Sequence, residues 1–265
     1  MSADTRLPIS LHPELQFDYE ASAALGSSLA DTYSQALPFP HVVIDDFLAH
    51  DLIESIRAGF PEDQTRHEMQ YERGYKGHHK RQINPNQCAP HLVKIFNAFN
   101  SAPMLQFLEK LSGIQGLMPD PYFQGGGLHE TKTGGFLGVH SDFRLNKSLN
   151  VVRRINVIIY LNIDWREEYG GHLELWDTGM KRCLKRVLPE YNRCVIFNTD
   201  KDSNHGHPEP LTTPDGVFRR SIALYYYTAT ATELPSGDRN KTHYKPRPKD
   251  RFSLKYYLRK FRKTK

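Results

Sequence analysis

The stretch GGFLGVHSDF, residues 134–143, decides how this chain is read. In an extended strand residues i and i+2 project from one face, roughly 7 Å apart. His140 and Asp142 therefore point the same way, just behind a pair of glycines, which suits two ligands of one metal ion. From about residue 120 onward the chain is built of short β segments: FQGGGLHET, RRINVIIYLNI, GGHLELWD, CLKRVLP, NRCVIFNT and RRSIALYYYT. Apolar or alternating runs of this length, broken by glycine and asparagine, predict an antiparallel barrel or sandwich.

A metal held by His140 and Asp142 needs a third ligand. The segment NTDKDSNHGHPEP follows the apolar run NRCVIF and presents His205 and His207, which share a face if extended, so spacing does not choose between them. Two histidines and one carboxylate, with positions left open, are the ligand set of non-haem Fe(II) oxygenases. A zinc hydrolase would call for three histidines or HExxH, and neither pattern is present. Fourteen residues past His205, FRRSIALYYY places Arg219 and Ser221 on one face and Arg220 on the other. A buried guanidinium with a hydroxyl beside it is a receptor for a carboxylate, because its fork binds both oxygens.

The first half of the chain has a different texture. Residues 1–37 are mixed in character and lead into the proline-rich entry LPFPHVVIDDFL, where His41 to Ile44 predicts a short strand. Leu52, Ile53, Ile56 and Phe60 recur at helical spacing, with Asp51 as a start and Gly59 to Pro61 as a stop. Two more helices fit HLVKIFNAFN and, begun by Ser101 and Pro103, MLQFLEKLSG. Residues 62–90 are polar and aperiodic and predict a long loop or lid, in which Arg73, Lys76, His78, His79, Lys80 and Arg81 either close over a substrate or stay solvated.

Charge is distributed unevenly. The 265 residues carry a net +5, yet residues 241–265 hold eleven Lys or Arg against one acid, a net +10, leaving −5 on the rest. Basicity confined to a terminal segment argues against nucleic acid as a partner of the body. That segment predicts a helix with Leu254, Tyr257 or Leu258, and Phe261 on one face; it suits docking on the acidic body or a second subunit, or peripheral contact with an anionic membrane. No apolar run is long enough to span a bilayer, the N-terminus does not read as a secretory signal, and Cys88, Cys183 and Cys194 read as reduced thiols, so a cytoplasmic protein is expected.

The order HSD (140–142), YLNIDW (160–165), GGHLEL (170–175), NRCVIFNTDKDSNHGH (192–207) and RRS (219–221) resembles the prolyl 4-hydroxylase group of Fe(II)/2-oxoglutarate-dependent dioxygenases, over residues 125–230. That resemblance implies a double-stranded β-helix, a jelly-roll or cupin-like barrel, with the N-terminal helices packed outside: a mainly β chain of the α+β class. It implies one dioxygenase domain over 1–240, with the barrel core at about 120–230 and 241–265 as a tail. His140, Asp142 and His205 then hold Fe(II), the His-x-Val-like triplet favouring His205 over His207. Arg219, Ser221 and Tyr160 anchor 2-oxoglutarate, and His129 stands where the group has a tyrosine near the cofactor, one residue further from the metal histidine. His129 then either replaces that contact or is a neutral core histidine. His172, in the GGxL position, reads as a solvated strand histidine or one facing substrate.

The activity so implied is hydroxylation of an unactivated C–H, coupled to decarboxylation of 2-oxoglutarate to succinate and CO2, with O2 and, as a further cofactor, ascorbate. Asp142 matters here, since halogenases of this class replace the carboxylate by a small residue. Without a recognisable peptide-capture module, a small polar substrate is favoured over peptidyl proline. The competing readings are a non-catalytic metal-binding barrel and a metal hydrolase or isomerase on a cupin-like barrel, which leaves the RxS pair unexplained.

Overall fold

Helices form where apolar residues recur at helical spacing. In the computed structural model, which describes residues 5–62, 69–71, 76–229 and 242–248, they are α1 (Tyr19–Ser34), α2 (His50–Ala58), α3 (Pro90–Phe99) and α4 (Ala102–Ser112). Leu52, Ile53, Ile56 and Phe60 are buried, as their spacing predicts. Proline stands in the first turn of α3 and α4, where its missing N–H costs nothing, and α4 ends on Gly113 at φ +72°. Helix α1 replaces the mixed segment expected before residue 37. Asp18 caps it, its side chain accepting from the Ala21 amide at 2.9 Å. Its packing on α4 depends on Gly26, where a Cβ would lie 2.3 Å from the Phe107 carbonyl oxygen.

The strands are β1 (Ile9–Ser10), β2 (Gln16–Phe17), β3 (His41–Ile44), β4 (Met69–Tyr71), β5 (Gly77–Ile83) and β6 (Met118–Pro119) before the barrel motifs. Within and after them come β7 (Gly127–Ser141), β8 (Leu145–Asn146), β9 (Val151–Tyr160), β10 (Leu173–Trp176), β11 (Cys183–Val187), β12 (Cys194–Asn198), β13 (Asn204–His207), β14 (Arg219–Ala229) and β15 (His243–Tyr244). Apart from the β1–β2 hairpin they form one antiparallel sheet, whose main path runs β11-β10-β13-β7-β14-β9-β12-β3. This nearly closed barrel is the double-stranded β-helix expected.

Its wall separates two apolar regions. One face of β9, β12 and β14 sends Ile155, Val157, Ile159, Ile196, Ile222 and Leu224 outward into a core shared with the helices. The other face turns Tyr160, Leu173, Leu175, Val195 and Phe197 inward. Each such aliphatic or aromatic side chain contributes about 1.5–3 kcal/mol on burial, so the helices clamp the wall from outside while the interior stays available for polar groups.

Two expectations need correcting. Residues 77–83 are not part of a loop or lid: β5 pairs along β7, with Lys80 opposite Thr131 and Gln82 opposite His129, and a 3-10 turn follows at Pro85–Gln87. Lys80, Arg81 and Gln82 are buried, so a polar sequence here marks a polar interior rather than solvent. His243 and Tyr244, at the start of the basic segment, form strand β15 on β7 opposite Ser141 and His140 rather than helix. The helix and apolar face expected over residues 250–265, like Arg73, lie outside the described residues.

Strand β7 is what positions the site. It pairs with β14 over Gly127 to Thr131, with β5 from Leu128 to Leu137, and with β13 and β15 over Leu137 to Ser141. The glycine pair sits at the joint: Gly134 has φ +75°, and a Cβ on Gly135 would lie 2.5 Å from Thr131 Cγ2. The bend lets one strand carry groups to both ends of the barrel mouth.

Candidate active site

Strand β13 lies directly against the second half of β7, with His205 opposite His140. Gly206 makes that approach possible, since a Cβ there would lie 2.8 Å from the Leu137 carbonyl oxygen. His140, Asp142 and His205 each offer one ligand atom, all within 4.8 Å of one another. His140 Nδ1 donates to the Gly138 carbonyl at 2.9 Å and His205 Nδ1 to the Ser203 carbonyl at 3.0 Å. A carbonyl only accepts, so each Nδ1 carries a proton and Nε2 is the ring nitrogen left to coordinate. Those Nε2 atoms lie 3.6 Å from Asp142 Oδ1 and Oδ2, beyond hydrogen-bond length. Burial lowers the His205 pKa to about 4, keeping it neutral and able to coordinate. Two imidazoles and a carboxylate facing a cavity fit an Fe(II) site with open positions.

Asp142 is held as an anion. Burial alone would raise its pKa, but Arg153, 3.0 Å from Oδ2, and the neighbouring His205 outweigh this and hold it far below the ordinary carboxylate range. Asn156 Nδ2 donates to the same oxygen at 3.4 Å. The Arg153 guanidinium is 1% exposed and lies 3.3 Å over the Tyr225 ring, with Phe143 at 4.9 Å. The sequence reading missed Arg153. Strict alternation along β9 puts it on the opposite face from Asn156 and Tyr160, but the β9–β14 register shifts between Ile155 and Arg153. That bulge re-aims the side chain.

Arg219 and Ser221 are buried on one face of β14, and both line the cavity that holds the triad, while Arg220 turns outward to Glu130 at 2.7 Å. Arg219 Nε donates to the Gly171 carbonyl at 2.8 Å and Nη2 to the Tyr160 hydroxyl at 3.2 Å. Gly171 is obligatory: at φ +71° a Cβ would lie 2.9 Å from Arg219 Cδ. Burial raises the Tyr160 pKa, so its phenol stays neutral and can donate to an anion.

His129 and His207 also line this cavity. His129 Nδ1 is in hydrogen-bond contact with Lys80 Nζ, and burial and that ammonium push its pKa well below the usual value. His207 is 4% exposed, neither ring nitrogen has a protein partner, and burial likewise keeps it neutral. His207 is not in the triad cluster. His172 is neither solvated nor in this cavity: its Nε2 contacts Glu167 at 3.1 Å, and Arg186 donates to Nδ1 at 3.2 Å, in a separate surface cleft.

Comparison with known proteins gives the class. Residues 126–227 match the family model of the 2OG-Fe(II) oxygenase superfamily. The fold resembles a Pseudomonas putida prolyl-4-hydroxylase, with a TM-score of 0.56 and 18% identity over 77% of this chain and 99% of that one. It also resembles a Trichoplax adhaerens prolyl hydroxylase solved with a hypoxia inducible factor peptide fragment, with a TM-score of 0.52 and 16% identity over 78% of this chain and 91% of that one. Residues 126–227 therefore match a 2OG-Fe(II) oxygenase domain, a dioxygenase family whose reagents are Fe(II), 2-oxoglutarate and O2, and the solved structures share the fold.

Among curated proteins it is similar to mouse Prolyl 3-hydroxylase OGFOD1, at 33% identity over 88 residues. Those residues are 32% of this chain and 16% of that protein, so the chain matches only a small part of its relative's length.

Proposed function

We propose that this chain hydroxylates an unactivated C–H of a small polar substrate, coupled to decarboxylation of 2-oxoglutarate to succinate and CO2. In this reading His140, Asp142 and His205 hold the iron, and Arg219, Ser221 and Tyr160 anchor the far carboxylate of 2-oxoglutarate. The observation that carries it is the convergence of three ligand atoms within 4.8 Å in a cavity that Arg219 also lines. Bound Fe(II) with 2-oxoglutarate and O2 supplies the oxidising chemistry. The protein's part is to keep His205 neutral, fix Asp142 through Arg153 and present a guanidinium at cosubstrate distance.

A cleft of about 480 Å³ opens beside the cavity, lined by Gln82, Asn84, Tyr122, Gln124 and Ser148 and carrying no charged side chain among its described lining residues. It suits a neutral, hydrogen-bonding molecule. Tyr225 connects the two spaces: it lines the cavity and its hydroxyl donates to the Gly125 carbonyl at the cleft. The second reading is peptidyl-proline hydroxylation, favoured by the similarity to a curated prolyl 3-hydroxylase. No helix among the described residues is long and apolar enough to cross a membrane. A cytoplasmic location is proposed on the three free thiols, Cys88, Cys183 and Cys194.

The test is anaerobic addition of Fe(II) and 2-oxoglutarate, read by the weak visible charge-transfer band of the chelate, then succinate formation on admitting O2. Absence of both refutes the reading. Loss of the band in His205→Ala and its retention in His207→Ala are expected; the reverse would move the third ligand to His207. Succinate release across small polar compounds and proline-containing peptides separates the two substrate readings.

A further inference from the structure

His140 and His205 each have an aromatic ring packed on them, and the two rings come from different parts of the chain. Phe197, fully buried on β12 inside the barrel, has its ring centre 4.6 Å from that of His205. His140 is backed instead by Tyr244 of β15, whose ring centre lies 5.1 Å away at an interplanar angle of 33°. Tyr244 stands opposite His140 in the β15–β7 register, and directly opposed residues of paired strands meet on one face. It is not among the described residues lining the cavity, so it packs on the imidazole from behind. Lys76 Nζ, 5.6 Å from the centre of the Tyr244 ring, steadies that ring from the segment before β5. Beyond β15 the Lys245 amide donates to the Val139 carbonyl at 2.9 Å. Lys245 Nζ then lies 3.4 Å from Asp202 and Arg247 Nη1 2.5 Å from Glu209. Those acids stand two residues before and two after β13. Residues 243–247 thus tie the strand that carries His140 to both ends of the strand that carries His205.

We propose that Tyr244 is a positioning residue for metal binding: its ring fixes the His140 imidazole so that Nε2 stays aimed at the ion, and the Lys245 and Arg247 ion pairs hold the ring in place. This rests on the ligand set proposed above. An imidazole tethered through Nδ1 can still rock about that contact, and a second ring packed on it limits the swing. The backing of one iron-site histidine is therefore supplied by the basic C-terminal segment, outside the block 126–227 that matches the superfamily.

The experiment is titration of Mn(II) into the metal-free full chain, read by the electron paramagnetic resonance of free Mn(II), well below the melting temperature of every variant. Tyr244→Ala is expected to weaken Mn(II) about ten- to a hundred-fold, the usual effect of removing a contact that orients a metal ligand. Tyr244→Phe, which keeps the ring, should bind within a few-fold of wild type. The double variant Lys245→Ala/Arg247→Ala should weaken Mn(II) by a smaller factor. It should also lose less affinity than wild type when NaCl rises from about 0.05 to about 0.5 M, since salt screens ion pairs that are open to solvent. If Tyr244→Ala does not fold, Tyr244→Leu, which keeps apolar bulk without a flat ring, is judged by the same expectation. Wild-type affinity in the folded Ala or Leu variant overturns the proposal. So does a Phe variant as weak as either, or a double variant indistinguishable from wild type. Failure of the wild type to bind Mn(II), or undiminished binding by His140→Ala, would instead overturn the ligand set proposed above.

Discussion

Lowering the pH from 7 to 5 should destabilise the metal-free protein. His129, His205 and His207 are all buried and all have pKa values depressed by that burial, to about 4 for His205 and well below the ordinary value for the other two. A folded value below the unfolded value of about 6.5 means that the unfolded chain binds protons first as pH falls. Stability is therefore lost from about pH 6.5 downward, levelling off only near the folded pKa. For His205 the loss between pH 7 and 5 is about 2 kcal/mol, and His129 and His207 lose stability in the same direction, against a typical total of about 5–15 kcal/mol. Asp142 is held so low that it titrates below this window. The assay is urea unfolding in chelator at pH 7, 6 and 5, on wild type and on His207→Phe, which should lose less. A urea midpoint that does not move between pH 7 and 5, or a variant as acid-sensitive as wild type, refutes the reasoning.

Other perturbations separate the parts of the site. Arg153→Met leaves the Asp142 carboxylate buried without its cation, so the metal-free protein should lose about 3–5 kcal/mol in urea unfolding, and Mn(II) should restore more stability to it than to wild type. Gly171→Ala forces a left-handed backbone on a residue with a Cβ and pushes Arg219 aside; it should cost about 1–2 kcal/mol of stability and weaken 2-oxoglutarate at least ten-fold by titration, with Mn(II) affinity unchanged. Glu130, 1% exposed, meets Arg81 and Arg220, each at 2.7 Å, so Glu130→Gln should lower the melting temperature markedly while a hydrophobic change at the exposed Leu184 does not.

What the sequence revealed follows the physics of alternation. His140 with Asp142, and Arg219 with Ser221, were readable because strands of period two keep i and i+2 together. The α2, α3 and α4 helices were readable from their apolar spacing. Helix α1 was obscured by its small residues, whose value is a close approach at Gly26 that shows only once α4 is beside it. Strand β5 was obscured for the opposite reason: Lys80, Arg81 and Gln82 look solvated, yet each is buried against a polar partner from another strand or loop. Arg153 was out of reach because a bulge, not the residue pattern, decides its face. Spacing within the segment does not separate His205 from His207; the register of β13 on β7 sets His205 opposite His140 and His207 opposite Leu137.

The sheet also sets where this molecule can be divided. The block matching the oxygenase superfamily spans 126–227, but β3, β5, β6 and β15 all come from outside it. Excised at those limits, β12 would lose its outer neighbour, β14 would lose β6, and β7 would be stripped of two partners, leaving bare amides and carbonyls beside His140 and Asp142. The stretch that bears the family likeness is therefore not an autonomous folding unit, and a minimal active fragment has to keep the flanking strands.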